Sequence, residues 1–166
     1  AFLPAEELMD LFAEYPVFVG AGHPFREEGH ITELPPKVLK RFDFLDMNGK
    51  DIALDRQRTE KLTYALGERL HRPVVAGSDT HQAVQYGCIR TRFEKEFDTI
   101  SELRQEMEAG RYTICVHPEA AFKVKTAGLL KRSLKEIHAL GGDYVSVLLR
   151  QNGESPAVLK AKGQME

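Results

Sequence analysis

The sequence predicts an α/β fold built from parallel strand–helix units. Short apolar runs typical of buried strands alternate with longer segments whose apolar residues recur at helical spacing. The three main runs begin at residues 17, 43 and 73, about one strand–helix unit apart. The chain has 166 residues, of which 42% are hydrophobic, enough for one domain with a sizeable core. Parallel strand–helix units form either a doubly wound sheet or a barrel.

The first half of the chain contains two helices and two strands. An amphipathic stretch follows Pro4, with Leu8, Leu11 and Phe12 at helical spacing. The runs VFVGA and DFLDM are short, apolar and bounded by turn-forming or charged residues, which is typical of strands. The sequence therefore predicts, in order, a helix over 3–16, strands over 17–21 and 43–47, and a helix over 54–70.

The second half continues the alternation. The run PVVAG predicts a strand, and the pair Thr99 and Glu102 predicts a capping box at the start of a helix that ends at Gly110. The predicted elements are strands over 73–77 and 111–116 and a long basic helix over 119–140. We expect one domain over residues 1–142 and a weakly ordered carboxyl-terminal extension over 143–166.

Composition excludes several classes of function. The formal net charge is −2, so nothing in the charge balance points to nucleic acid or to a membrane surface. No apolar run approaches the roughly 20 residues of a membrane span. The two cysteines form no disulfide framework, which favours a reducing, cytoplasmic location.

Polar side chains follow three of the predicted strands. His23 comes after the strand over 17–21, and Asn48 and Lys50 come after the next strand. The third strand runs into the sequence GSDTH, which carries Asp79 and His81. Because the carboxyl ends of parallel strands lie at one edge of a sheet or barrel, these side chains are expected to converge there.

The spacing of Asp79 and His81 favours a metal site. In extended chain, residues i and i+2 point the same way, so the carboxylate and the imidazole can face one point. Both groups are suitable ligands for Zn²⁺, Mn²⁺ or Fe²⁺. His23 would be a third ligand from a neighbouring strand. The alternative for each of these residues is a hydrogen-bonded turn or an ordinary loop position.

Basic residues near this edge could bind a phosphate group. Arg26 follows the His-Pro pair, and Lys50 follows Asn48. Arginine can bind phosphate with two parallel hydrogen bonds. The sequence contains no Walker or dinucleotide-type glycine loop and no Gly-x-Ser-x-Gly motif. Ordinary surface charge is the alternative interpretation of these residues.

The motifs GAGHPFR, LDMNGKD and VVAGSDTHQAVQYG, in this order and spacing, resemble the PHP (polymerase and histidinol phosphatase) family of metal-dependent phosphoesterases. The likeness covers most of residues 5–130, and GSDTH after a valine-rich strand is its most specific part. It implies a distorted (βα)₇ TIM-like barrel with two or three divalent metal ions (Zn, Mn or Fe) at the carboxyl rim.

The resemblance implies roles for particular residues. His23, Asp79 and His81 match the late metal ligands and would be catalytic, whereas Arg26, Asn48 and Lys50 would bind the substrate. The implied activity is hydrolysis of a phosphorylated small molecule or nucleotide. The family also has an early His-x-His strand, which this sequence lacks. We therefore expect the chain to be the carboxyl-terminal part of a PHP domain, inactive or nearly so by itself.

Two further interpretations stay open. The chain could be a non-catalytic regulatory or assembly module derived from such a barrel. A strand edge left unpaired by absent early strands could pair with a second copy or with a separate amino-terminal segment. A single structural zinc site is the third interpretation, which is disfavoured because Cys88 and Cys115 do not have zinc-knuckle spacing.

Overall fold

The structure is a computed structural model that describes residues 3–26 and 31–139. The chain divides into two compact units, Ala1–Val124 and Lys125–Glu166. In the second unit, every described residue belongs to the long last helix. The predicted domain boundary after residue 142 and the predicted extension over 143–166 lie outside the described residues.

Helices and strands follow one another as the sequence predicts for most of the chain. In chain order they are α1 (Ala5–Ala13), β1 (Gly20–Gly22), α2 (Pro36–Leu39), β2 (Phe44–Asp46), α3 (Gly49–Leu54), α4 (Arg56–Leu70), β3 (Val74–Val75), β4 (Ile89–Phe93), α5 (Ile100–Glu108), β5 (Tyr112–Val116) and α6 (Ala120–Ala139).

A three-stranded parallel sheet lies at the centre of the first unit. The strand order is β1-β2-β3, and the register places Ala21 beside Leu45 and Leu45 beside Val74. These three side chains are buried and form the middle of the core. The α/β class and the parallel pairing of the first three predicted strands are confirmed. The strands in the described part of the chain do not close into a barrel.

A second sheet consists of β4 and β5, which pair antiparallel. The predicted fourth strand is present as β5, but its partner β4 was not predicted and the pair does not extend the parallel sheet. Side chains of this second sheet instead bond to the outer edge of β3. The Tyr112 hydroxyl donates to the Val74 carbonyl at 2.8 Å, and Thr91 Oγ1 bonds both to the amide and to the carbonyl of Ala76. The second sheet thereby covers one edge of the first.

The helix predicted over 54–70 is present as α4, and a further short helix, α3, precedes it and was not predicted. Each of the two helices begins at a side-chain cap. Asn48 Oδ1 accepts from the Lys50 amide at 2.8 Å and starts α3, and Asp55 Oδ1 accepts from the Arg58 amide at 3.1 Å and starts α4. The buried face of α4 includes Leu66, as its apolar spacing predicts. Because α3 begins directly after β2, it brings its first turn to the carboxyl end of the sheet.

The opposite edge of the parallel sheet is formed by β1. In the described part of the chain, β1 pairs only with β2 and has no strand on its other side. Its pairing with a second copy or with an amino-terminal segment stays a prediction. No described helix is both long and apolar enough to cross a membrane.

Candidate functional site

The carboxyl ends of the three parallel strands carry the polar residues of the candidate site. His23 follows β1 directly, Asp46 ends β2, and Asp79 lies in the loop after β3. His23 and Asp79 have φ angles of 38° and 48°, in the left-handed region that residues other than glycine rarely adopt. Such strain is costly and is found disproportionately at functional sites. Two of the three strand ends are therefore held in unusual conformations.

A cavity of about 310 Å³ opens at this end of the sheet. Its walls come from the loop after β1, the end of β2, the first turn of α3 and the face of α4. Both charge signs are present: Arg26, Lys50 and Arg58 supply cations, and Asp46 and Asp51 supply carboxylates. The volume lies at the lower end of the range for small-molecule sites, which suits a small charged ligand.

The Arg26 guanidinium links the cavity to Asp79. Arg26 Nη2 donates to Asn48 Oδ1 at 2.7 Å and lies 3.4 Å from Asp79 Oδ2. The same nitrogen lies 3.3 Å from Asp51 Oδ1. One arginine thus joins side chains from the end of β2, from α3 and from the loop after β3. The substrate-binding residues predicted from sequence, Arg26, Asn48 and Lys50, all line the cavity.

The side chains of Asp79 and His81 lie close to each other, as predicted. A turn of the backbone brings them together, and not the alternation of an extended strand. Because β3 ends at Val75, the alternation of a strand does not reach these residues. The left-handed Asp79 folds the loop so that His81 Nδ1 lies 3.6 Å from Asp79 Oδ1. His81 Nδ1 also lies 2.9 Å from the Asp79 carbonyl oxygen, to which it donates. That tautomer leaves His81 Nε2 free to accept a proton or bind a cation.

Gln85, which is buried, holds the loop in this shape. Its Oε1 accepts from the amides of His81 and Gln82 at 3.0 and 3.1 Å, and its Nε2 donates to the Asp79 carbonyl at 3.4 Å. A buried amide with three such bonds fixes the loop backbone, because leaving any of these groups unpaired would cost free energy. Gln85 is therefore a supporting residue of the site.

The charges around Asp79 keep it ionised. Partial burial acts to raise the pKa of Asp79, but a hydrogen bond from Asn48 and the nearby His81 and Arg26 outweigh burial and lower it below its usual value. Asp79 is thus a carboxylate at neutral pH. Its two oxygens are shared between the arginine and the histidine.

The pKa of Asp46 shifts in the opposite direction to that of Asp79. The pKa of Asp46 is raised from 3.8 to about 6, mainly by burial and in part by the neighbouring Asp79 carboxylate, while a hydrogen bond from the Gly77 amide opposes the shift. The Gly77 amide donates to Asp46 Oδ1 at 3.1 Å. His23 interacts electrostatically with Asp46, and its Nδ1 is buried with no hydrogen-bond partner in the part of the chain that the structure describes. Asp46 therefore interacts electrostatically with both His23 and Asp79, and it titrates closer to neutral pH than an ordinary carboxyl group.

Within the described ranges, no group of three or more His, Cys, Asp or Glu side chains is positioned to hold a metal ion. Asp79 and His81 are adjacent, and His23 and Asp79 both interact electrostatically with Asp46. The predicted ligand set of His23, Asp79 and His81 is therefore gathered at one end of the sheet without forming a complete coordination site. The two histidines predicted as metal ligands differ: His81 Nδ1 donates to a backbone carbonyl, which leaves Nε2 as its acceptor nitrogen, whereas His23 Nδ1 is buried and has no hydrogen-bond partner among the described residues.

Sequence reasoning missed three residues of this region: Asp46, Asp51 and Gln85. The sequence places Asp46 inside a predicted strand, although its position at the carboxyl end of β2 is itself a signal for a site residue. Asp51 was missed because no helix was predicted over the residues that form α3. Gln85 carries no sequence signal, since its role depends on the turn that Asp79 makes.

Comparison with solved structures shows a likeness of fold. The crystal structure of PsfC from Pseudomonas syringae PB-5123 superposes on this chain with a TM-score of 0.57 at 20% sequence identity. The superposition covers 79% of this chain and 52% of PsfC, so the chain spans about half the length of that protein. No protein-family model matches the sequence, and no curated protein matches it. At this identity the comparison shows a shared α/β architecture and nothing of activity.

Proposed function

We propose that the protein containing this chain is a metal-dependent phosphoesterase of the PHP type and that this chain carries the late part of its site. The observation that supports the proposal is the convergence of His23, Asp46 and Asp79 at the carboxyl ends of three consecutive parallel strands. In this proposal the three strands belong to a (βα)₇ TIM-like barrel. Its remaining strands would pair with the open side of β1.

The cavity is suited to a phosphate group. Arg26 and Lys50 would bind the phosphate oxygens, and the Thr59 and Thr63 hydroxyls on the cavity wall offer further donors. The cavity of about 310 Å³ favours a phosphorylated small molecule or a single nucleotide over a long polymer. Asp79 and His81 would lie beside the reacting phosphoester because Arg26 connects them to the cavity.

The described residues do not by themselves complete a ligand set. The proposal therefore requires further ligands from a longer polypeptide. The competing function is a non-catalytic regulatory or assembly module. The incomplete ligand set and the edge position of β1 favour it.

Hydrolysis assays on the full-length protein and on residues 1–166 distinguish the two functions. We expect the full-length protein to hydrolyse p-nitrophenyl phosphate after addition of Mn²⁺ or Zn²⁺ and to lose that activity with a chelator. The isolated chain is expected to be inactive or nearly so. Equal activity in the two polypeptides would contradict the need for additional ligands. A full-length protein that is folded, metal-loaded and inactive on a panel of phosphomonoesters and phosphodiesters would favour the non-catalytic module.

A further inference from the structure

A second cavity opens at the other end of the parallel sheet, away from the candidate site. Asp43 and Pro73, which directly precede β2 and β3, lie in its wall, so it is at the amino ends of these strands. Its volume is about 620 Å³, which is within the range for small-molecule sites. Among the described residues, none lines both this amino-end cavity and the cavity beside Arg26. The two cavities are therefore distinct.

Two charged side chains of the amino-end cavity are already paired. Arg104 Nη1 lies 2.9 Å from Asp43 Oδ1, and the same guanidinium lies 4.7 Å from the centre of the Phe18 ring. Asp43 Oδ2 also accepts from the Val19 amide at 2.7 Å. These contacts join α5 to the residues that precede β1 and β2. Arg104 and Asp43 therefore stabilise the fold and contribute no free charge to the cavity.

Three other charged side chains in the wall lack a counter-charge. Within the described ranges, the carboxylates of Glu68 and Glu108 have neither a hydrogen-bond nor an ion-pair partner. Arg72 Nη2 donates to the Lys40 carbonyl at 2.8 Å, but Arg72 Nε is buried and has no partner among the same residues. A buried donor left unpaired costs free energy, so an acceptor is expected beside it. The cavity thus offers one guanidinium and two carboxylates to a ligand.

Two tyrosines form an aromatic part of the cavity wall. Tyr64 on α4 and Tyr112 on β5 both line the cavity, and Tyr64 is 45% exposed. The Tyr112 hydroxyl donates to the Val74 carbonyl, which fixes the ring. Burial raises the pKa of Tyr112 and the nearby Tyr64 raises it further, so the two phenols interact with each other. Because ammonium and guanidinium groups bind to the faces of aromatic rings, this wall suits an aliphatic chain that ends in a cation.

We propose that the amino-end cavity binds a free basic amino acid. The ligand carboxylate accepts from the Arg72 guanidinium, and the two ligand cations pair with Glu68 and Glu108. The aliphatic chain lies against Tyr64 and Tyr112. A basic amino acid carries one negative and two positive charges at neutral pH, which match the unpaired charges of the cavity in sign and number. The inference depends neither on the proposed phosphoesterase function nor on a metal ion, because it uses no residue of the candidate site.

Simpler ligands satisfy only part of this wall. An amine without a carboxylate leaves Arg72 Nε without an acceptor, and a carboxylic acid without a cation meets two unpaired glutamates. An arginine or lysine at the end of a peptide chain lacks either the free carboxylate or the free α-ammonium group. Analogues of each kind therefore distinguish a free basic amino acid from these other ligands.

The test measures ligand binding to the full-length protein by isothermal titration calorimetry at neutral pH and constant ionic strength. We expect L-arginine or L-lysine to bind with a Kd below about 1 mM. L-citrulline replaces the guanidinium of arginine by a neutral group of the same shape, and agmatine lacks the carboxylate. Both are expected to bind at least about fivefold more weakly than arginine. Nα-acetyl-L-arginine and L-argininamide, which imitate peptide ends, are expected to be weakened to the same extent.

Glu68→Gln and Glu108→Gln keep the size of each side chain and remove its charge. Both positions are exposed, so the variants are expected to fold, and each is expected to weaken binding of the basic amino acids about fivefold. The matched control is Glu7→Gln, the same change at an exposed position of α1 outside the cavity. It is expected to leave the affinity within about twofold of wild type.

Four results would overturn the inference. They are no binding of either basic amino acid at up to about 10 mM, binding of citrulline or agmatine as tight as that of arginine, equally tight binding of a peptide-end analogue, and wild-type affinity in both glutamate variants. Each of these results would leave the proposed phosphoesterase function standing, because the hydrolysis assays test that function separately.

Discussion

Gly49→Ala is expected to lower the free energy of unfolding by about 1–3 kcal/mol. A Cβ atom at Gly49 would lie 2.7 Å from the Gly77 carbonyl oxygen and 2.8 Å from Ser78 Cα. These are backbone atoms of the loop that leads to Asp79, so they cannot move aside as a flexible side chain would. In an open helix the same change would be mildly stabilising, because alanine has the higher helix propensity. The close approach therefore reverses the usual sign.

Gly22→Ala is the matched control for this prediction. A Cβ atom at Gly22 would have nothing within 4 Å, and this glycine lies at the end of β1, next to His23. Its unfolding midpoint in urea is expected to stay close to that of wild type. If Gly49→Ala and Gly22→Ala were equally stable, the tight packing of α3 on the Asp79 loop would be contradicted.

Asp46→Asn is expected to stabilise the protein at pH 8 and to do so less at pH 5. Burial raises the pKa of Asp46 from 3.8 to about 6, so the folded state binds a proton that the unfolded state has released. Proton binding by Asp46 therefore stabilises the folded state. This stabilisation is complete below pH 4 and is lost as the pH rises through about 6. At pH 8 the charged carboxylate therefore costs about 3 kcal/mol by this shift, and at pH 5 about half as much.

Asparagine removes this cost and keeps an oxygen for the Gly77 amide. The measurement is urea unfolding at both pH values in the presence of a chelator. Asp98→Asn, the same change at an exposed position, is the control and is expected to alter stability by only a few tenths of a kcal/mol at either pH. A stabilisation by Asp46→Asn that did not grow between pH 5 and pH 8 would show that burial does not raise the Asp46 pKa.

The parallel sheet could be predicted because its three strands are short apolar runs separated by helix-length segments. The strand β4 was not predicted because two arginines interrupt the apolar residues of its sequence, IRTRF. Its side chains in fact alternate between the core and solvent, with Ile89 buried and Arg90 exposed. A pattern of period two was present, but it was weaker than the apolar signal of the neighbouring strands.

The site was predictable only in outline. The strand ends place His23 and Asp79 correctly, because the ends of parallel strands meet at one edge. The contact between Asp79 and His81 is predicted from the alternation of an extended strand. In the structure it depends instead on a left-handed turn at Asp79, which hydrogen bonds from Gln85 hold in place. The position of Arg26 among the carboxylates depends on tertiary contacts, so the local sequence contains no signal for it.

The most direct test of the account is the phosphoesterase activity and bound metal of the full-length protein carrying Asp79→Asn. This variant keeps the size of the side chain and removes the charge that Arg26 and His81 share. The account predicts a loss of about 100-fold or more in metal-dependent hydrolysis, together with weaker metal retention, while the control Asp98→Asn keeps both. Wild-type activity and wild-type metal content in a folded Asp79→Asn protein would contradict the assignment of the site to the carboxyl ends of these three strands.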